Sequence, residues 1–373
     1  MAQNRLTATL RTLDLHNEAF ATGHNATGLI GSGLLMSESQ TLSVAPRTSR
    51  RWLARDIAPL VSLAVLVVFF SLAAPKFLRL ATLAAILKQG SVLAIVAAGL
   101  TFVLLCAEID LAVGMMALWS ACCCGWMYET WALSHSAGPA FGWVVALCVL
   151  LPLASCLALG LVSGVLTGLS RLPSFIISLA MMFIAEGLAR YLTKSRMFKV
   201  PAVLASIGNE GIPAGEHFEF PYSAILAGAV LLLGHVVLQH TRFGRYVYMT
   251  GGNREAARLA GVRTGWIVAA CLAVSAFAAG IAGMVNSGRM TNVTLDQNKD
   301  LLLSSVACVV LGGTSLFGGE GGMGKTLVGV LTFTVLSIGL IQIVWIDDLA
   351  RQLLTGCVLM AALVINGLLA KRR

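Results

Sequence analysis

Long apolar runs alternate with short polar segments along the chain from about residue 57 onward. A membrane-spanning helix needs about 20 mostly apolar residues, and several runs reach that length without interruption. The uninterrupted runs begin near Ile57, Gly142, Ser223, Trp266 and Arg351. Further apolar runs that contain polar residues or glycines lie at roughly 81–106, 112–132, 173–193, 300–316 and 324–346. The pattern predicts an all-α polytopic membrane protein with about ten transmembrane helices, some of them broken or re-entrant.

Residues 1–50 differ from the rest, because they are polar and rich in Thr, Ser and Asn. They show no helical periodicity of apolar positions, so we predict a disordered tail followed by a transmembrane domain at 51–373. The first long apolar run starts too far from the N-terminus for a cleaved signal peptide.

The composition agrees with a membrane protein: 57% of the 373 residues are hydrophobic and only 12% are charged. Soluble domains carry about 25% charged residues. The nine cysteines lie inside apolar runs, which predicts packing residues rather than a disulfide framework. With so few charges, the net charge of +9 indicates membrane topology, and we expect no nucleic-acid partner.

Lys and Arg concentrate in three segments, which precede the first span, separate the sixth and seventh spans, and end the chain. These residues are Arg47, Arg50, Arg51, Arg55, Arg242, Arg245, Arg254, Arg258, Arg263, Lys371, Arg372 and Arg373. Ten spans place all three segments on one side, and positive charge marks the cytoplasmic side. We therefore predict that both termini and the loop at 241–264 are cytoplasmic.

The stretch from Gly319 to Thr326, GEGGMGKT, matches the phosphate-binding pattern G-x-x-x-x-G-K-T. A true phosphate-binding loop connects a buried strand to a helix in a soluble α/β domain. Here apolar runs of spanning length flank the match, so we interpret it as a glycine-rich break between two membrane helices.

The loop at 241–264 contains a short helical pattern, REAARLA, in which Asn253 can cap the start and Gly261 can end the helix. So short a helix is not stable alone in water and must dock on something. Ala257, as a small residue, is expected to fit a cleft of a docking partner. The alternative is a basic loop that follows lipid headgroups.

Four stretches together resemble one family, the monosaccharide permeases of bacterial ATP-binding-cassette importers, of the ribose, xylose and galactose type. The stretches are AEIDLAVG at 107–114, SRLPSFIISLAMMFIAEGLA at 170–189, TGGNREAARLAGV at 250–262 and VLGGTSLFGGEGG at 310–322. Their order and spacing match, and the resemblance covers about 57–370.

The resemblance implies a permease that pairs as a homodimer in the bacterial inner membrane. A separate ATPase subunit would bind ATP, and a periplasmic binding protein would deliver the sugar, so the chain itself needs no catalytic residue, cofactor or metal and is not an enzyme. In the family, the loop that corresponds to residues 251–262 contains the helix that couples the permease to the ATPase. Its residues here are Gly251, Gly252, Asn253, Arg254, Glu255, Ala256, Ala257, Arg258, Leu259 and Gly261.

The chain departs from the family pattern at three places. Ala107 and Glu108 replace a Gly-Gly pair, Glu186 stands where arginine is common, and Ile338 replaces an asparagine. These differences leave the transported sugar open.

Ionisable or polar residues inside apolar runs are costly and usually functional. The candidates for a pathway or structural role are Gln89, Glu108, Asp110 and Glu186. Lys88 and Gln89 mark a predicted helix interruption, Asp110 can instead cap the next helix, and Glu186 is four residues from Arg190, as in an internal ion pair.

Two other functions remain open from the residues. A branched-chain amino-acid or nucleoside permease of the same importer class would have a similar architecture. An ion-coupled secondary transporter is less consistent, because it would use a carboxylate or histidine relay within the membrane. None of the six histidines lies beside a mid-span acid in the sequence.

Overall fold

The computed structural model describes residues 49–132, 141–170, 172–194, 196–214, 218–343 and parts of 347–364. These residues are mainly helical. The helices are α1 Ser49–Ala73, α2 Leu80–Leu105, α3 Val113–Met127, α4 Phe141–Ser170, α5 Ser174–Thr193, α6 Ala202–Asn209, α7 Tyr222–His240, α8 Arg242–Gly252, α9 Arg254–Leu259, α10 Thr264–Met290, α11 Leu301–Leu311 and α12 Met323–Gln342. A π-helical turn, Tyr128–Ala132, extends α3.

Four short strands form two antiparallel pairs. Strand β1, Phe198–Lys199, pairs with β4, Asn292–Val293. Strand β2, Gly211–Pro213, pairs with β3, Glu219–Pro221. The strands thus lie in connections between helices, and the fold of the described residues is that of a helical bundle.

Six helices within the described residues are long and apolar enough to cross a membrane: α2, α4, α5, α7, α10 and α12. The apolar parts of α1 and α11, Ile57–Ala73 and Leu301–Leu311, are shorter. Helix α3 has 15 residues. The predicted count of about ten spans is therefore not confirmed. The predicted tail falls almost wholly outside the described residues, as do most of the last apolar run and the C-terminal basic residues.

Helix α10 lies at the centre of the bundle and packs against α2, α3, α4 and α6. Small residues allow this packing, since lipid supplies no hydrophobic drive for helix association. On α4, Gly160, Gly164 and Gly168 recur every four residues and face α10. A Cβ at Gly164 would lie only 2.5 Å from the Cα of Ala269, so the two backbones are nearly in contact.

The predicted interruption at Lys88 and Gln89 is wrong, because α2 runs through both residues without a break. The neighbouring Gly90 serves packing instead: a Cβ there would lie 3.4 Å from the Thr334 hydroxyl oxygen of α12. The Lys88 ammonium group donates a hydrogen bond to the Asn209 carbonyl at the end of α6. Gln89 is half-buried.

Candidate coupling surface

The segment predicted to dock on a partner folds into two consecutive helices, α8 and α9. The Thr241 hydroxyl oxygen accepts a hydrogen bond from the Gly244 amide (3.2 Å), which caps the start of α8. The Asn253 side-chain oxygen accepts a bond from the Ala256 amide (3.0 Å). This bond satisfies a free donor of the first turn of α9 and confirms the predicted cap.

The end of α9 has the glycine geometry that the sequence predicts. Gly261 has a φ of +83°, a conformation in which most other residues are strained. The Gly261 amide donates to the Arg258 carbonyl (2.9 Å), and the Val262 amide donates to the Ala257 carbonyl (3.0 Å). These two bonds form a Schellman motif, so both ends of this six-residue helix are closed by hydrogen bonds.

The two faces of α9 differ sharply in exposure. Ala257 is 1% exposed and packs within its own chain. The expectation that Ala257 enters a partner's cleft is therefore wrong in the described structure. Leu259, by contrast, is 83% exposed, beside the exposed pair formed by Glu255 and Arg258 (3.6 Å).

An ion pair fixes the start of α9 to the segment that follows α2. The Arg254 Nη1 donates to the Glu108 Oε1 at 2.7 Å, and the Glu108 side chain is only 9% exposed. The residues are 146 positions apart, so the sequence offers no spacing signal for this pair. Glu108, predicted as a pathway or structural residue, is thus a structural partner of the predicted docking helix.

The glycine-rich loop at 312–322 packs against the end of α2 and against α8. The Gly319 amide donates to the Leu105 carbonyl (3.0 Å), and the Tyr248 hydroxyl donates to the Gly321 carbonyl (3.0 Å). Burial raises the pKa of Tyr248 above its usual value. Three of the four sequence stretches singled out above, 107–114, 250–262 and 310–322, therefore meet at one surface. We call this surface, formed by α8, α9, the segment 106–112 and the loop 312–322, the coupling surface.

A family model described as "Branched-chain amino acid transport system / permease component" matches residues 82–363. The ribose import permease protein of Escherichia coli (strain K12) is 31% identical over 333 residues, which cover 88% of this chain and 98% of the relative. The chain belongs to this permease family.

Other relatives of the permease carry the names of sugar importers. The fructose import permease protein of Rhizobium meliloti is 30% identical over 316 residues, covering 83% of the permease and 84% of the relative. The galactose/methyl galactoside import permease protein of E. coli (strain K12) is 26% identical over 318 residues, covering 84% and 94%. No solved structure matches the permease. The family and the apolar helices together indicate a multi-pass inner-membrane protein.

The GKT stretch of the permease has a packing role. Helix α11 precedes the glycine-rich loop, and Lys325 and Thr326 lie in the first turn of α12. The Thr326 hydroxyl lies 2.7 Å from the Thr101 hydroxyl of α2, and both residues are fully buried. The loop thus breaks the chain between two helices as predicted, but α11 has only 11 residues and is shorter than a candidate membrane span, so a break between two membrane helices is not confirmed.

The remaining polar candidates have local partners. The Asp110 carboxylate is buried and accepts a bond from the Ala112 amide (3.0 Å), just before α3. The Ala112 amide lies just outside α3, and α3 begins without a side-chain cap, so the capping alternative is wrong and the contact only fixes the turn before the helix. Glu186 and Arg190 form the predicted ion pair at 2.8 Å on α5.

Sequence reasoning missed two serines, Ser174 and Ser178 at the start of α5. Their hydroxyls accept bonds from the amides of Ile109 (3.0 Å) and Leu111 (3.1 Å). These two bonds connect the start of α5 to the segment 106–112. The only signal of the two serines in the sequence is that they lie in the fourth stretch, 170–189.

Proposed function

We propose that the permease is the transmembrane subunit of an ATP-driven importer of monosaccharides. The observation that carries the proposal is the match over 98% of the length of a ribose import permease, together with relatives named for fructose and galactose import. In this proposal the permease forms the translocation pathway, and a separate ATPase subunit binds and hydrolyses ATP.

The coupling surface is the proposed contact with the ATPase subunit. Helix α9 is closed at both ends and is fixed to the bundle by Ala257 and by the Glu108–Arg254 pair. A helix fixed in this way can transmit a movement of the partner to α2 and α10 instead of absorbing it. Leu259, exposed at 83%, is the apolar side chain that α9 offers to an ATPase cleft.

The remaining partners follow from the importer class. A periplasmic sugar-binding protein would deliver the substrate, and two permease copies would form the pathway between them. Both termini and the coupling surface would face the cytoplasm, in keeping with the arginines of α8 and α9. Large apolar side chains exposed on α4 and α7, such as Leu169 and Leu233, are suited to contact with lipid.

A second candidate, a branched-chain amino-acid permease, is favoured by one observation. The matching family model is described by that substrate class. The relatives reported above are instead named for sugars, which is why we place sugar import first.

Uptake in cells tests the two candidates directly. A bacterial strain that lacks the gene for the permease, and the same strain with the gene restored, would be given radiolabelled ribose, fructose, galactose and leucine. We expect uptake of at least one sugar to return with the gene and to stop when cellular ATP is depleted. Restored leucine uptake without sugar uptake would favour the second candidate. Uptake that follows the proton gradient rather than ATP would contradict both.

A further inference from the structure

The loop between α11 and α12 exposes a large aromatic side chain on the coupling surface. Phe317 is 89% exposed, and no large apolar side chain that the structure describes is more exposed. Its neighbour Leu316 is 47% exposed. An exposed apolar anchor of this kind often marks a contact with another molecule, particularly where polar residues surround it.

The turn that carries Phe317 has a defined backbone. The Ser315 amide donates to the Glu320 carbonyl (2.9 Å), and the Phe317 amide donates to the Ser315 hydroxyl oxygen (3.2 Å). Gly318 and Gly319 follow with φ values of +84° and +72°, which favour glycine. Phe317 is thus held in a preorganised position, which reduces the entropy lost when a partner binds.

The turn lies against the chain just before the proposed docking helix α9, where two glycines approach each other. A Cβ at Gly319 would lie 2.9 Å from the Cα of Gly252, two residues before α9 begins. The path from Phe317 to Gly319, across to Gly252 and along α9 to Leu259 is about 30 Å at most, so the two side chains lie within about 30 Å of each other. A standard protein interface of about 800 Å² per partner is about that wide, so one partner can contact both side chains.

We propose that Phe317 is a second docking residue for the ATPase subunit, next to the contact made by α9. The inference rests on the proposed function and adds a residue outside the predicted docking helix. The partner would offer an apolar pocket with an acidic rim. Arg242, Arg245 and Arg258 of α8 and α9 are exposed and add positive charge to the coupling surface, and an apolar centre within a charged rim is typical of a protein interface.

Binding measurements test the proposal with a matched control. The permease in lipid nanodiscs would be titrated with the ATPase subunit that supports its sugar uptake. We expect Phe317→Ala to raise the Kd at least tenfold and Phe317→Leu to raise it less. Phe69→Ala, on the apolar helix α1, removes another exposed phenylalanine (53%) and should leave the Kd within about twofold. An unchanged Kd for Phe317→Ala overturns the proposal.

Photocrosslinking identifies the molecule that covers Phe317. The variant Phe317→p-benzoylphenylalanine would be irradiated in the assembled transporter, with Leu259→p-benzoylphenylalanine in parallel. A crosslink from position 317 to the ATPase supports the proposal, whereas crosslinks from 317 only to lipid or to a second permease overturn it. If position 259 also fails to reach the ATPase, and the wild-type permease binds none, the proposed function itself is wrong.

Discussion

The centre of the bundle and the coupling surface both depend on glycine, but for different physical reasons. Between α4 and α10, Gly160, Gly164 and Gly168 are helical and matter because they have no side chain. On the coupling surface, Gly261 matters because of its positive φ angle, since a Cβ there would meet no atom within 4 Å, whereas Gly318 and Gly319 of the loop 312–322 combine a positive φ with close contacts. The first use allows two long helices to approach closely, and the second gives short segments a fixed shape. Substitutions in the centre should therefore disrupt folding, whereas substitutions of exposed side chains on the coupling surface should mainly reduce binding of the proposed ATPase subunit.

The largest effect is expected from filling the contact between α4 and α10. In Gly164→Leu, the added Cβ alone would lie 2.5 Å from a backbone atom of α10, so the helices must separate. We expect almost no folded permease after extraction in detergent, measured by size-exclusion chromatography. Gly187→Leu is the matched control, because a Cβ at Gly187 of α5 meets no atom within 4 Å. A normal elution profile for Gly164→Leu would show that the bundle tolerates a wider spacing.

The next effect concerns the exposed face of α9. Leu259→Asp leaves the bundle untouched, because the side chain is 83% exposed, but places a carboxylate in the proposed ATPase contact. We expect normal amounts of folded permease and at least a tenfold loss of ATPase binding, which equals about 1.4 kcal/mol.

Two comparisons sharpen this result. Ala257→Asp should reduce folded protein, because Ala257 is buried in its own chain. Arg263→Ala, just beyond the helix, should have a milder effect on ATPase binding. If Leu259→Asp keeps wild-type binding and sugar uptake, α9 is not the contact.

The ion pair that joins α9 to the segment 106–112 within the coupling surface should give an intermediate effect. Arg254→Ala leaves the Glu108 carboxylate, 9% exposed, without its partner. Complete burial would cost about 3–5 kcal/mol, but Arg254 is 47% exposed, so we expect about 1–2 kcal/mol. Thermal unfolding of the permease measures the loss. Glu108→Gln combined with Arg254→Ala should recover part of it, since the unpaired charge is gone. No recovery would mean that the pair does not couple the segments.

Sequence reasoning recovered local features of the chain and missed the three-dimensional assembly of the coupling surface. The cap at Asn253, the stop at Gly261 and the pair of Glu186 with Arg190 each depend on residues a few positions apart, where helix geometry alone determines the contact. The partner of Glu108 and the face of Ala257 depend on how distant segments pack. The interruption at Gln89 was predicted wrongly because polar residues next to a glycine occur both where a helix ends and where a continuous helix packs closely against a neighbour. In the structure, Gly90 allows close packing against α12, and Lys88 donates a hydrogen bond to the end of α6.

The smallest predicted effect isolates the backbone role of glycine from its missing side chain. Gly261 has a φ of +83°, and a Cβ there would meet no atom within 4 Å. Gly252, at the end of α8, is equally open but does not have a positive φ. Gly261→Ala should therefore lower stability by about 1 kcal/mol through backbone strain alone. Gly252→Ala should be neutral or slightly stabilising, because alanine favours a helix.

The measurement is the difference in thermal unfolding between these two variants in nanodiscs, together with ATPase binding. We expect Gly261→Ala to weaken ATPase binding slightly, because strain at the end of α9 loosens the helix that presents Leu259. A Cβ added at Gly319 would lie 2.9 Å from the Gly252 Cα, but a Cβ at Gly252 itself would meet no atom within 4 Å, so ATPase binding by Gly252→Ala should be unchanged. Equal stability of the two variants would mean that α9 ends without the left-handed turn in the membrane. The contrast between glycines that adopt a positive φ and glycines that allow close helix packing would then not apply to this surface.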